Sequence, residues 1–119
     1  KSNNSSLPKD VVIQLAREGN VDIRHAVLQH QKNAPYEVFD LLSEDPVSDI
    51  RFAALWSAYP NYNFDYGLSI DQALILFKKM MSDPDTTVYE HGRFHGTIAD
   101  AAKDRAEYLE SIIAQQNRE

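Results

Sequence analysis

The chain contains no cysteine, which excludes disulfides, thiolate nucleophiles, cysteine-bound zinc and iron–sulfur clusters. Its four glycines, at positions 19, 67, 92 and 96, never gather into the cradle that a nucleotide phosphate requires. No Gly-x-Ser-x-Gly elbow occurs, and no serine is evidently joined to a histidine and an acid. No enzyme activity, catalytic residue or cofactor is therefore expected. No apolar run approaches the roughly 20 residues that span a bilayer, and Lys1 to Ser6 are polar, unlike a hydrophobic leader. A cytoplasmic location without membrane attachment is the expectation. Positive charge is the scarcer sign: Lys and Arg total 12 against 18 Asp and Glu, a net charge of −6. Nucleic-acid affinity rests on clustered Lys and Arg, so the expected partner is a basic protein and not a nucleic acid.

What the chain does contain is a duplication. Its 119 residues, 43% apolar and 25% charged, suit one globular domain. Within it the segment Pro8 to Ala26 recurs 27 positions later as Pro35 to Ala53. Val11, Leu15, Asp22, Ile23, Arg24, Ala26 and Leu28 match Val38, Leu42, Asp49, Ile50, Arg51, Ala53 and Leu55. Self-similarity at such a period marks a solenoid of stacked units, each unable to bury its apolar face alone. The fold class expected is all-α: about three helical hairpins and a long C-terminal capping helix.

After a flexible lead-in over residues 1–7, one domain is expected to fill 8–119. Val11, Val12, Leu15 and Ala16 draw one apolar stripe on a first helix that Gly19 and Asn20 end. Asp22 is the expected N-cap of the second, which carries Ile23, Ala26 and Val27 on one face. Hairpins are expected over 8–33, 34–59 and 70–94. The third is a degraded copy in which Asp83 and Pro84 echo Asp45 and Pro46, and Tyr89 replaces an arginine. An aromatic-rich insertion loop at 60–69 separates it from the second. Ser69 with Gln72 reads as a capping box for the helix that follows. The capping helix is expected over 97–116, with Ile98, Ala101, Ala102, Arg105, Leu109, Ile112 and Ile113 facing inward.

Asp45, Pro46, Ile50, Arg51 and Ala53 resemble the turn and second helix of a HEAT repeat. The short period and the link Asn33, Ala34, Pro35 are similar to the leucine-rich-repeat variant proteins, relatives of HEAT. In HEAT repeats an acid at the turn is followed six places later by an arginine, and the two form a ladder between adjacent repeats. The resemblance implies a ladder of Glu18, Arg24, Asp45 and Arg51, with Asp83 keeping only the acid. It also implies a right-handed stack that serves as a binding scaffold.

The candidate binding residues lie where the copies disagree. Phe52 and Trp56 stand where the first copy has His25 and Gln29, and they fall off the buried stripe. Either the insertion loop covers them or they anchor a partner. With Asp49, Tyr59, Tyr62, Phe64, Asp65 and Tyr66 they form the expected partner-binding surface. Acids at 40, 44, 45, 49, 65 and 71 would steer a basic partner toward it. Compact acidic proteins of this size serve as immunity proteins that cover the cleft of a basic toxin such as a nuclease, and that role is the specific expectation. Two alternatives remain. One is a HEAT-like nucleic-acid binder or DNA glycosylase relative, which the charge opposes. The other is a scaffold or chaperone fragment, whose sign would be an apolar exposed end near residue 8 or 116. His91 and His95, one helical turn apart beside Glu90 and Asp100, have a spacing that can hold a metal. Gly92 and Gly96 weaken that helix, however, and no third ligand is evident, so no metal is expected.

Overall fold

Local sequence sets the helix ends in this computed structural model, which describes residues 8–30, 34–58 and 68–117. Helix α1 spans Lys9–Glu18, preceded by Pro8, whose missing N–H costs nothing at a helix start. Gly19 closes it, because a Cβ there would lie 2.6 Å from the Leu15 carbonyl oxygen. Helix α2 spans Val21–His30. Asn20 caps it, its Oδ1 accepting the Ile23 amide at 2.9 Å; the expected cap, Asp22, lies inside the first turn. Helices α3, Tyr36–Leu42, and α4, Ser48–Ser57, follow. Helix α5 spans Ile70–Met80 and carries the capping box of Ser69 and Gln72. A reciprocal pair of the same kind, Thr97 and Asp100, starts helix α6, Ile98–Asn117. The amide and hydroxyl of Thr97 hold the Asp100 carboxyl below its ordinary pKa, against a smaller opposing effect of burial.

The helices pack as three pairs in two rows. One row runs α1, α3, α5 and the other α2, α4, α6, with each helix of the first row against its successor in sequence within a pair. Alanines at 54, 73, 101, 102 and 106 are all buried and let the helix backbones approach closely, while Leu42, Ile50, Leu55, Leu76, Phe77, Ile98 and Leu109 fill the core between rows.

A buried polar seam joins the pairs. Arg24 on α2 meets Asp45, in the turn after α3, with Nε 2.6 Å from Oδ2, and donates to the Gly19 carbonyl at 2.8 Å. Arg51 on α4 repeats this one pair further on: its Nε donates to Asp83 Oδ2 at 2.8 Å, and it donates to the Asp45 carbonyl at 2.8 Å. Each arginine side chain is 15% exposed and each aspartate 4%. Both aspartates also accept the amide two residues on, from Val47 and Asp85, which shapes the turn. The side-chain pairs run from one turn's arginine to the next turn's acid. Glu18 does not take part: it is exposed and accepts from Gln14 on its own helix. No arginine from an earlier turn stands beside it among the described residues.

Three expectations are corrected here. The chain from 83 to 96 is not helical: after an irregular stretch, β1, Tyr89–His91, pairs antiparallel with β2, Phe94–Gly96. Gly92 begins the two-residue turn at φ 62, a value only glycine takes without strain. Helix α6, expected as a separate cap, instead stands as the second helix of the third pair, against α4 and α5. Val11 and Ile23, counterparts of the buried Val38 and Ile50, are 41% and 39% exposed, because α1 and α2 have a neighbouring pair on one side only among the described residues.

The ladder sets a stability order. Asp45→Asn and Asp83→Asn should each cost about 2 kcal/mol, since a largely buried guanidinium loses its charged partner. Glu18→Gln should stay within roughly 0.5 kcal/mol. Urea unfolding of the three variants measures this, and equal losses in all three would remove the ladder's stabilising role.

Candidate functional site

Phe52 and Trp56 are half-buried on α4, and the β hairpin covers them. Phe52 stacks nearly parallel on Tyr89, with centroids 4.3 Å apart and planes at 8°, and also on Trp56 at 5.3 Å. Phe94 approaches Trp56 at 5.6 Å, and His91 does so at 4.5 Å. Such ring pairs add stabilisation beyond the area they bury. Residues 60–67 of the expected cover, the insertion loop, lie outside the described residues, as do Tyr59, Tyr62, Phe64, Asp65 and Tyr66.

The hairpin is anchored by Tyr89, which stands at the arginine position of the third copy. Its hydroxyl lies 3.0 Å from Ser48 Oγ and donates to Asp49 Oδ1 at 3.1 Å. Where Arg51 reaches forward to the next turn, Tyr89 therefore reaches back to the start of α4. Burial raises the Tyr89 pKa, and the Asp49 hydrogen bond, together with the charges of Asp49 and Asp85, adds to this against a lowering contact from Ser48. Asp85 is held below the ordinary carboxylate range: desolvation opposes ionisation, but hydrogen bonds from Thr87 and Ser48 and the charge of Arg51 outweigh it.

Between α2, α4 and the hairpin lies a groove of about 450 Å³. Helix α2 contributes His25 and Gln29 to its wall, and α4 contributes Phe52, Ala53 and Trp56 opposite. Asp49 and Ser57 flank it, and Tyr89 and His91 close one side. The positions at which the two copies differ thus line one cavity. The ladder accompanies this arrangement by holding α2 beside α4, so that residues 25, 29, 52 and 56 border the same space.

Trp56 is a wall shared by two cavities. A smaller one, about 280 Å³, lies between it, Phe77 and α6, and there the guanidinium of Arg105 sits 4.3 Å from the Trp56 ring. This is a cation–π geometry, and it places Arg105 inward as expected.

The acids expected to steer a partner have mostly local tasks. Asp40 and Glu44 meet Lys79 at 2.6 and 2.7 Å, tying α3 to α5. Asp45 belongs to the ladder; Asp71 is exposed in the first turn of α5, away from the groove lining. Asp49 alone of the six joins the aromatic groove among the described residues. His91 and His95 fall on opposite faces of the hairpin, since His91 pairs with Phe94 and His95 with Glu90. Among the described residues no group of three His, Asp or Glu is placed to hold a metal.

The hairpin was within reach of sequence reasoning. Thr86, Thr87, Val88 and Tyr89 favour strand, and Gly92-Arg93 is a two-residue turn before Phe94. The Asp83-Pro84 echo of Asp45-Pro46 masks this signal by continuing the helical repeat.

Tyr89 gives the site a pH signature. Its folded pKa lies above the unfolded value near 10, so its contribution is intact below about pH 10 and is lost as pH rises through the folded value. Tyr89→Phe should flatten that alkaline loss, and it should hasten hydrogen exchange at the β1–β2 amides by roughly fivefold, about 1 kcal/mol for a lost hydrogen bond. Unfolding curves across the alkaline range and amide exchange test both; unchanged exchange would mean the hydroxyl does not hold the hairpin.

Comparison with known proteins finds no matching family model, no matching curated protein and no matching solved structure.

Proposed function

We propose that this chain is a non-enzymatic protein-binding module, a short HEAT-like α-solenoid that holds a basic protein in the groove between α2, α4 and the hairpin. The observation that carries this reading is the convergence of the divergent repeat positions, His25 and Gln29 with Phe52 and Trp56, on one cavity beside Asp49. Aromatic side chains in a concave, partly desolvated setting are the usual anchors of protein interfaces. The net charge of −6 favours encounter with a positive surface. A toxin domain with a basic cleft, such as a nuclease, is a partner of the required charge, and neutralising it is the specific role proposed.

Gln29 and Ser57 are exposed at the groove, so replacing both by lysine should leave the fold within roughly 0.5 kcal/mol per site. Proteins captured from native extract by the original chain would be identified, purified and titrated against both versions. The expected result is a basic protein bound at least about tenfold more weakly by Gln29→Lys/Ser57→Lys, mainly through slower association. Recovery of no basic protein, or equal binding by both versions, would end this reading.

One observation favours a second reading. Val11, Val21 and Ile23 are exposed together on the first pair, as a scaffold unit stacking against a further unit would require. In that case the chain self-associates as its concentration rises in sedimentation experiments, and Ile23→Lys abolishes the effect. A monomer at every concentration would sink it.

A further inference from the structure

Among the described residues the groove is lined by one acid and several rings, with neither lysine nor arginine. Asp49 is exposed, and its hydrogen bond among the described residues comes from Tyr89 at Oδ1. Phe52, Ala53 and Trp56 supply an apolar wall leading to that carboxylate. An amphipathic cation fits this sequence of surfaces: an aliphatic stem against the rings and a charged head at the acid.

We infer that the groove is an arginine-recognition site, taking a single arginine side chain from the basic partner, its guanidinium paired with Asp49 and its stem along Phe52 and Trp56. This rests on the protein-binding reading above and adds the identity of the anchored residue. Three observations favour arginine over lysine. The carboxylate of Asp49 keeps Oδ2 and the second lone pair of Oδ1 for a planar, forked donor, which a guanidinium presents and an ammonium does not. Phe52, Trp56, Tyr89 and His91 line the groove, and their aromatic carbons are a surface against which a delocalised, weakly hydrated cation packs. The chain also gives its own precedent on the same ring, since Arg105 lies over Trp56 from the neighbouring cavity. The chain's other nearby guanidinium, Arg51, is engaged with Asp83 and the Asp45 carbonyl and leaves Asp49 to an incoming group.

The test uses the full chain and a blocked Gly-Gly-Arg-Gly-Gly peptide, with matched peptides carrying lysine or the neutral isostere citrulline. Trp56 is the sole tryptophan, so its fluorescence reports on the groove directly, and amide shifts in NMR map the location. The arginine peptide should bind saturably with a Kd on the order of 10 mM, with shifts confined to residues around 25, 29, 49, 52 and 56. The lysine and citrulline peptides should bind at least about fivefold more weakly. Asp49→Asn, whose Oδ1 can still accept from Tyr89, should weaken arginine binding about tenfold while the hairpin amides keep their exchange rates. No saturable response, shifts outside the groove, equal binding of the three peptides, or an unaffected Asp49→Asn chain would each overturn the inference. The two readings fail separately. A basic protein captured through the groove with no arginine response overturns this inference alone, whereas an arginine response with no protein captured overturns the partner reading alone.

Discussion

The carboxylate of Asp45 is the constraint on which the rest depends. It sits nearly out of reach of solvent, takes the guanidinium of Arg24 from the preceding pair, and shapes its own turn through the Val47 amide. Its carbonyl then accepts from Arg51, which passes the pattern to Asp83. Burying these charges is tolerable because each meets a partner with several hydrogen bonds, and removing one partner strands the other. The consequence is geometric as well as energetic. Two successive turns are tied together, which holds α2 against α4 and gives the groove between them defined walls.

The same series of bonds explains how a β hairpin can stand inside a helical protein. Asp83 occupies the ladder position of a turn, and the Asp85 and Thr87 contacts that follow carry the backbone away from a helical path. Tyr89 arrives where an arginine would continue the ladder and instead returns to Ser48 and Asp49. The third pair is completed by α6, after the hairpin has crossed the aromatic face of α4. An interruption of the repeat thus supplies a wall of the cavity.

How much of this was legible in the sequence differs by feature. The helices of the first two pairs follow from apolar spacing and cap residues, and the ladder residues Arg24, Asp45 and Arg51 stand out because charge recurs at a fixed offset. Glu18 has the same offset but, among the described residues, no earlier arginine beside it and a bond to Gln14 instead, so spacing alone does not place it in the ladder. The off-stripe position of Phe52 and Trp56 was readable from helical periodicity. What covers them was not, because Tyr89 and Phe94 lie some forty residues further along and no local rule links them. Asp40, Glu44 and Asp45 read as a charged face, yet Lys79 and Arg24 neutralise them from other helices, a fact that only the packing reveals.

The insertion of the hairpin between α5 and α6 has a consequence for how such a protein can diversify. Its two ends leave and rejoin the stack at the Asp83 turn and the Thr97 cap, and the helices on either side pack against each other directly. Changes within the two strands and their turn, beyond the Asp85 amide that bonds Asp83, fall on a segment that supplies neither arginine nor aspartate to the ladder, and loops that cross a surface tolerate such change well. The seam that holds the pairs together and the strands that border the groove are separate parts of the chain. Tyr89, bonded to Ser48 and Asp49 from β1, is the main tie between the two.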